Sequence, residues 1–505
     1  MTRYYLTTAI DYSNGEPHLG HAFEKIGADV IARYRRARGD DVHFVIGMDE
    51  HGQKVAQEAV HLETTPQALV DAMAERFETA WTELGISHDD FIRTTEPRHR
   101  EAVQALLERI KAAGDDFYLG RYEGFYCVGC EAFKKEEELI DGRCPIHPTR
   151  EIVWTEEENY FFRLSAYRDR LLEHIDRHPE FVQPSSRRNE ILRLLEGGLE
   201  DVSASRQGLP WGVPFPGAEG HTVYVWFDAL PNYISAIGFP HEQYETWWPA
   251  DLHIIGKDIT RFHCVIWPAM LMSAGLELPA TVWAHGFVSA GSGKLSKSAG
   301  KQLDVYELIA RHGRDALRYY LMREVPWDGD RNFGDQFTEL FDERYNSDLA
   351  NALGNLLNRS VAMIGKYRDG AVPTDGTSEL DAAAEQALSA YASAMDGLLL
   401  HQGVETALSL VRNANAFIDE MQPWKLAKES ERASDLDLVL GSLARSLVAI
   451  AGMLSPFMPD KAAELWERLG GDGPVPGFDD LLARAREPLN VQAGPVLFPR
   501  AEALV

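Results

Sequence analysis

The chain has 505 residues, 45% of them hydrophobic and 25% charged, with a formal net charge of −28 and four cysteines. That length exceeds one ordinary domain and predicts about three or four, in a protein of soluble, globular composition. The acidic balance excludes a protein that coats nucleic acid by neutralising phosphates, but not one that reads a few exposed bases by stacking and hydrogen bonds.

Residues 3–9 (RYYLTTA) are rich in β-branched and aromatic side chains and predict a buried strand. Asp11 and the turn at Asn14-Gly15-Glu16-Pro17 stand where a signal peptide would need an apolar core. From Leu19 onward, Ala22, Phe23, Ile26, Val30 and Tyr34 recur at helical spacing, and Gly39 marks the stop. His18 and His21 therefore sit at a helix N-terminus, where free backbone N–H groups and the dipole favour an anion. Gly20 lets a nucleotide approach the backbone closely; the alternative is a pair of capping or solvated histidines. Asp49 follows an apolar strand at residues 42–46, on the edge of a sheet where ligands bind.

Three cysteines and a histidine cluster next: Cys127-x-x-Cys130 and Cys144-x-x-His147, separated by thirteen residues. Two tight turns, helped by Gly129 and Pro145, give the soft tetrahedral ligand set of a closed, structural zinc site; the alternative is a remnant that has lost its metal. Cys264 stands apart and reads as a small core residue. Residues 223–233 (VYVWFDALPNY) and 255–267 (IGKDITRFHCVIW) carry large aromatics with single polar residues interposed. Such walls suit a polarizable thioether, or equally a plain aromatic core. Lys294-Leu295-Ser296-Lys297-Ser298 is flanked by small residues and reads as a mobile loop, whose two lysines can close over a triphosphate. From about residue 346, Leu349, Leu353, Leu356, Leu357, Leu408 and Leu410 mark an α-helix bundle, interrupted by the turn-rich residues 369–378. Asn355 and Arg359 share a helix face there, and Pro423-Trp424 opens a segment with an aromatic suited to an unpaired base. No uninterrupted apolar run is long enough to span a bilayer, so a cytoplasmic location is expected.

His18-Leu19-Gly20-His21 and Lys294-Leu295-Ser296-Lys297-Ser298, in that order, resemble the HIGH and KMSKS motifs of class I aminoacyl-tRNA synthetases, with Leu for Ile and for Met. Residues 223–233 and 255–267 resemble the tracts that line the methionine pocket of the methionyl-tRNA synthetases. The resemblance implies an α/β fold: a Rossmann-like nucleotide-binding catalytic domain with a zinc-knuckle insertion, plus a C-terminal all-α helix-bundle anticodon-binding domain. The implied boundaries are 1–115 and 221–275 for the catalytic halves, 116–220 for the insertion, 276–345 for a linking domain with the lysine loop, and 346–505 for the bundle.

By the same resemblance, His18, His21, Lys294 and Lys297 carry catalysis, and Gly20, Lys257, Asp258, Ser296 and Ser298 bind ATP. Ile10, Tyr12, Asp49, Arg206, Trp226, Leu230, Tyr233, Ile259, His263 and Trp267 bind methionine; Asn355, Arg359 and Trp424 read the CAU anticodon. Cys127, Cys130, Cys144 and His147 hold one structural zinc, and magnesium enters with ATP. The implied partners are ATP, L-methionine and the initiator and elongator methionine tRNAs, with no membrane. Leu230 and Asp11 stand where the family often has proline, and Asp11 has no account from sequence. The chain stops without the C-terminal oligonucleotide-binding domain of some members, so a monomer is expected. Two rivals are a cysteinyl-tRNA synthetase, which would need its metal inside the catalytic pocket, and a tRNA-binding homologue without catalysis, against which the intact histidines and lysines speak.

Overall fold

The structure is a computed structural model and describes residues 2–13, 15–127, 132–134, 136–145, 148, 152–290 and 303–500. Among these, seven parallel strands form the central sheet. The first four are β1 (Arg3–Thr8), β2 (Asp11–Tyr12), β3 (Asp41–Asp49) and β4 (Asp90–Arg93). The apolar periodicity after β1 forms helix α1 (Leu19–Ala37), which buries Ala22, Phe23, Ile26, Val30 and Tyr34. The chain then leaves the sheet for a four-stranded antiparallel insertion. Its long strands β5 (Phe117–Cys127) and β7 (Val153–Phe162) pair from Phe117 opposite Phe162 to Tyr126 opposite Val153. Short strands β6 (Ala132–Lys134) and β9 (Val202–Ser203) flank them, while β8 (Val182–Gln183) goes to the central sheet. A ribbon of β10 (Ser205–Gln207) and β11 (His221–Val223) leads back to β12 (Leu252–Gly256) and β13 (Thr281–His285).

The strand order β2-β3-β1-β12-β13-β8, with β4 also on β3, places the functional edge. From β1 the chain crosses to β3 on one side and later returns to β12 on the other. This reversal opens a crevice at the C-terminal ends of β1 and β12, where doubly wound sheets bind ligands. The sheet reaches beyond the expected catalytic halves: β13 comes from the stretch assigned to the linking domain, and β8 from the insertion.

An all-parallel sheet must be covered on both faces, and two cores do this. One holds Val45, Ile92, Leu106, Phe227, Ile255 and Met270. The other runs without a break from Leu6, Phe23 and Ile46 through Leu317 and Tyr320 into Leu408, Leu447 and Ile450 of the C-terminal bundle. Helices Asn355–Arg368, Glu379–Asp396, Leu400–Met421 and Ala433–Leu454 make that bundle. The segment Ser430–Leu454 is long and apolar enough to cross a membrane by composition. Instead it is the bundle's central core helix, and its Arg445 forms a buried pair with Asp381 at 2.5 Å.

One side chain joins the two regions. Arg318 is fully buried and pairs with Asp29 of α1 at 2.7 Å. It also donates to the backbone carbonyls of Leu84, Pro456 and Phe457. Helix α1, helix Arg314–Glu324 and the bundle therefore share one guanidinium.

Candidate active site

At the start of α1, His18 is the N-cap: its Nδ1 accepts from the backbone N–H of Gly20 at 3.1 Å and of His21 at 3.3 Å. The His18 and His21 rings stack at 3.7 Å, with 12° between their planes. A Cβ on Gly20 would lie 3.0 Å from the His18 ring, so glycine preserves this cap. Capping and anion binding are therefore not alternatives here: the cap fixes His18 at the helix end that favours a phosphate. Burial first, then His18 and Lys25, hold the His21 imidazole well below its usual range. The ring is therefore neutral near pH 7, a hydrogen-bonding group rather than a cation.

Lys25, one turn further along α1, accounts for Asp11. It is fully buried and donates to Asp11 at 3.0 Å, Glu24 at 2.8 Å and the carbonyl of Ala9 at 3.0 Å. Glu24 in turn meets His285, at the end of β13, at 3.0 Å. Burial pushes Asp11 up to about 7, whereas Lys25 and His285 overcome burial to hold Glu24 below the usual carboxylate range. This network pins the segment after β1, which carries Ile10 and Tyr12, to the helix of the two histidines. Sequence reading had named Asp11 without its partner.

The aromatic stretches form the other wall. Residues 223–233 fold mainly as two short helices, Val225–Ala229 and Asn232–Ser235. After β12 the chain makes a wide π-helical turn, Phe262–Ile266, of a kind frequent at functional sites. Trp226 stacks on Phe262 at 3.6 Å and 11°. Leu230, Tyr233, His263 and Trp267 are buried, and Ile10, Tyr12, Trp226 and Ile259 half-buried. The Tyr233 hydroxyl lies 2.7 Å from His263 Nε2, and His263 Nδ1 lies 3.0 Å from the Ile259 carbonyl. A carbonyl only accepts, so Nδ1 carries the proton and Nε2 accepts from Tyr233. Burial lowers His263 to about 4 and His253, stacked on Tyr233 at 4.2 Å, well below the usual range. This wall is polar at fixed points but uncharged, surroundings that suit a polarizable apolar group.

The charged residues expected at the site are placed as follows. Asp49 ends β3, nine per cent exposed. Arg206 makes a bidentate pair with Glu157, both contacts 2.8 Å, and its guanidinium lies 4.1 Å from the Tyr126 ring centre. Glu157, on β7, is a partner the sequence did not disclose. Lys257 pairs with Asp330 and lies over Phe287, and Asp258 is exposed.

Of the expected zinc ligands, Cys127 and Cys144 are both fully buried; Cys130 and His147 lie outside the described residues, as do Lys294, Ser296, Lys297 and Ser298. Cys264 is a core residue, its thiol pushed up by burial. In the bundle, Asn355 is exposed and Arg359 pairs with Asp419 at 2.6 Å, near the end of helix Leu400–Met421. Trp424 follows that end and is 39% exposed, so it is not a core tryptophan.

The family model described as tRNA synthetases class I (M) matches residues 4–152 and 135–361. The methionine–tRNA ligase of Caldanaerobacter subterraneus subsp. tengcongensis is 43% identical over 508 residues, 99% of this chain and 79% of that protein. That of Thermotoga maritima is 45% identical over 478 residues, 92% of this chain and 75% of that protein. The structure of Mycobacterium tuberculosis methionyl-tRNA synthetase in complex with methionyl-adenylate matches at TM-score 0.93 and 41% identity, covering 99% of this chain and 100% of that one. The apo form of the same enzyme matches at 0.87, with 38% identity and 99% of each chain covered.

Proposed function

The chain belongs to the class I tRNA synthetases of the methionine branch, and on that premise we propose that its sheet-edge pocket activates L-methionine with ATP and transfers it to the 3′ end of initiator and elongator methionine tRNAs. The observation that carries this is a neutral aromatic pocket built by Tyr233, His263 and Trp267 beside a histidine-capped helix N-terminus at the same sheet edge. One half takes a thioether, the other a phosphate.

In the first step the methionine carboxylate attacks the ATP α-phosphate in line and pyrophosphate departs. No side-chain nucleophile is required, so positioning and electrostatics dominate. Asp49 pairs with the substrate α-ammonium, and Arg206, held by Glu157, stands near its carboxylate. His18 and His21 stabilise phosphate charge, with Gly20, Lys257, Asp258, Ser296 and Ser298 placing the nucleotide and Lys294 and Lys297 meeting the departing pyrophosphate. Magnesium, when bound with ATP, neutralises phosphate charge. In the second step a terminal ribose hydroxyl of tRNA, the 2′-OH in this class, attacks the activated carbonyl. Trp424, Asn355 and Arg359 read the anticodon, Trp424 by stacking.

Cys127, Cys130, Cys144 and His147 would hold a structural zinc. The complete burial of the Cys127 and Cys144 thiols, on a strand end and a turn, fits a closed thiolate site. The enzyme acts as a monomer in the cytoplasm. ATP–pyrophosphate exchange measured across all twenty amino acids tests the assignment: methionine alone should support rapid exchange, and exchange driven by cysteine, or by none, would overturn it.

A further inference from the structure

Neither the two motifs nor the methionine pocket uses the buried cluster of His51, Asp228 and His99. His51 Nδ1 lies 2.6 Å from Asp228 Oδ2, and His99 Nε2 lies 3.2 Å from the other carboxylate oxygen and 2.9 Å from the Asp228 carbonyl. His99 Nδ1 lies 2.9 Å from Ser235 Oγ. All three side chains are at most two per cent exposed. Although burial opposes ionisation, the two imidazoles hold Asp228 down at about 2. An ionised carboxylate only accepts, so His51 must donate from Nδ1.

That leaves Nε2 as the ring's other polar atom, and it is buried with no hydrogen-bond partner among the described residues. A buried imidazole nitrogen without a partner has lost its hydration with nothing in return. The surroundings fix the ring rather than relieve it. Trp211 packs edge-on at 5.4 Å while donating to the Glu50 carbonyl at 2.7 Å. Glu50 is tied to Arg93 at 2.6 Å. Gly52, at φ 115°, turns the chain directly into helix Gln53–His61. His51 lies two residues beyond Asp49, the end of β3, and Asp228 two beyond Trp226 on helix Val225–Ala229, so the pair joins the two elements that carry those residues of the proposed methionine site.

We infer that His51 is a catalytic base for the transfer step, oriented by Asp228, and that Asp228 is itself positioned by His99. The ribose hydroxyl oxygen of the tRNA terminus forms a bond to the methionyl carbonyl carbon. The hydroxyl proton passes to His51 Nε2, giving an imidazolium stabilised by Asp228. The carbonyl carbon's bond to the phosphate oxygen breaks, and AMP leaves with the electron pair. The proton then passes from His51 to solvent. Acid–base assistance of this kind is worth about 10²–10⁴-fold. The first step moves no proton between substrates, so the base serves the second step.

The inference rests on the ligase reading, and methionine-dependent exchange by the same preparation tests that reading separately. The decisive variant is His51→Asn, which can keep a bond to Asp228 but has no group at the Nε2 position. Preformed enzyme-bound methionyl-adenylate is mixed with methionine tRNA in a single turnover. Transfer should slow about 10²–10⁴-fold, at least tenfold more than exchange slows. Equal loss of both steps, or transfer at the wild-type rate, overturns the assignment. A second measurement needs no variant and is immune to misfolding: wild-type transfer should run slower in deuterium oxide, with no such effect on exchange. Identical transfer rates in the two solvents overturn the role of His51 as base.

Discussion

The proposed methionine site at the sheet edge and the proposed base-reading face of the bundle hold their polar side chains in opposite ways. In the pocket, polar side chains are fixed before substrate arrives: His263 between Ile259 and Tyr233, Arg206 on Glu157, His18 on its own helix. On the bundle, Asn355 and Trp424 are exposed and Arg359 is held only by a surface carboxylate. The difference follows from the task. Bond-making requires reacting atoms in a near-attack arrangement, so orientation is settled during folding. Reading a flexible RNA loop tolerates adjustment, so those side chains order on contact, at a cost taken from affinity.

The largest effect should come from cutting the joint between the two regions. Arg318→Leu leaves Asp29 to Arg33 and Ser87 and strips the donor from the carbonyls of Leu84, Pro456 and Phe457, at about 1–3 kcal/mol for each buried acceptor left unpaired. Denaturant unfolding should show that loss, with exchange and aminoacylation falling together. If only aminoacylation fell, the joint would matter to the bundle alone. Within the catalytic region, Lys297→Ala should slow adenylate formation on the order of 10²–10³-fold while methionine binds as before, because in the proposed mechanism it meets charge that develops only as pyrophosphate departs. A raised methionine Kd with unchanged turnover would place Lys297 in the rigid pocket instead.

Tyr233→Phe removes the hydroxyl that donates to His263 and leaves a buried acceptor, costing about 1–3 kcal/mol. Methionine KM in the exchange assay should rise, with little change in tRNA KM. The same pocket predicts a pH response. An unfolded histidine protonates near its ordinary value, whereas His263 stays neutral down to about 4. Its contribution to stability is therefore complete above the unfolded value and lost as pH falls through 4. His263→Gln should flatten the acid limb of a stability profile; an unaltered limb would refute the burial argument.

The smallest and most selective effect is expected on the bundle. Base–aromatic stacking is worth about 1–3 kcal/mol. Trp424→Ala should lower kcat/KM for tRNA about 5- to 150-fold, with exchange nearly untouched and the melting temperature steady, since the side chain is 39% exposed. Parallel loss of both activities with destabilisation would make it a structural residue and leave Asn355 and Arg359 as the readers.

Much of this was legible locally. The strand at residues 3–9, the helix from Leu19, the turn-rich residues 369–378 and the leucine-spaced bundle all recur in the structure, because periodicity within one window reports which face is buried. The first motif falls at the N-terminus of the helix after the first strands, as its surroundings predict, and the second lies outside the described residues. Asp11 was visible but unexplained, since its partner Lys25 is an ordinary helix residue until the fold buries it. Leu230, where the family often has proline, is a buried core residue.

By itself, then, the sequence determined the first strand and the helix after it, the helical bundle and the aromatic composition of residues 223–233 and 255–267, all encoded by neighbours along the chain, while the α/β class came from the resemblance its motifs carry. Only the tertiary structure decided that β13 and β8 complete the sheet, that Glu157 holds Arg206, that Arg318 welds the bundle to α1, and that His51, Asp228 and His99 form one cluster. The reason is distance in sequence. Asp29 and Arg318 are 289 residues apart, His51 and Asp228 177, and Arg206 and Glu157 49. No local pattern marks one charged residue as the partner of another so far away; burial in a shared low-dielectric interior selects the pairs, because there an unpaired charge is too costly to keep.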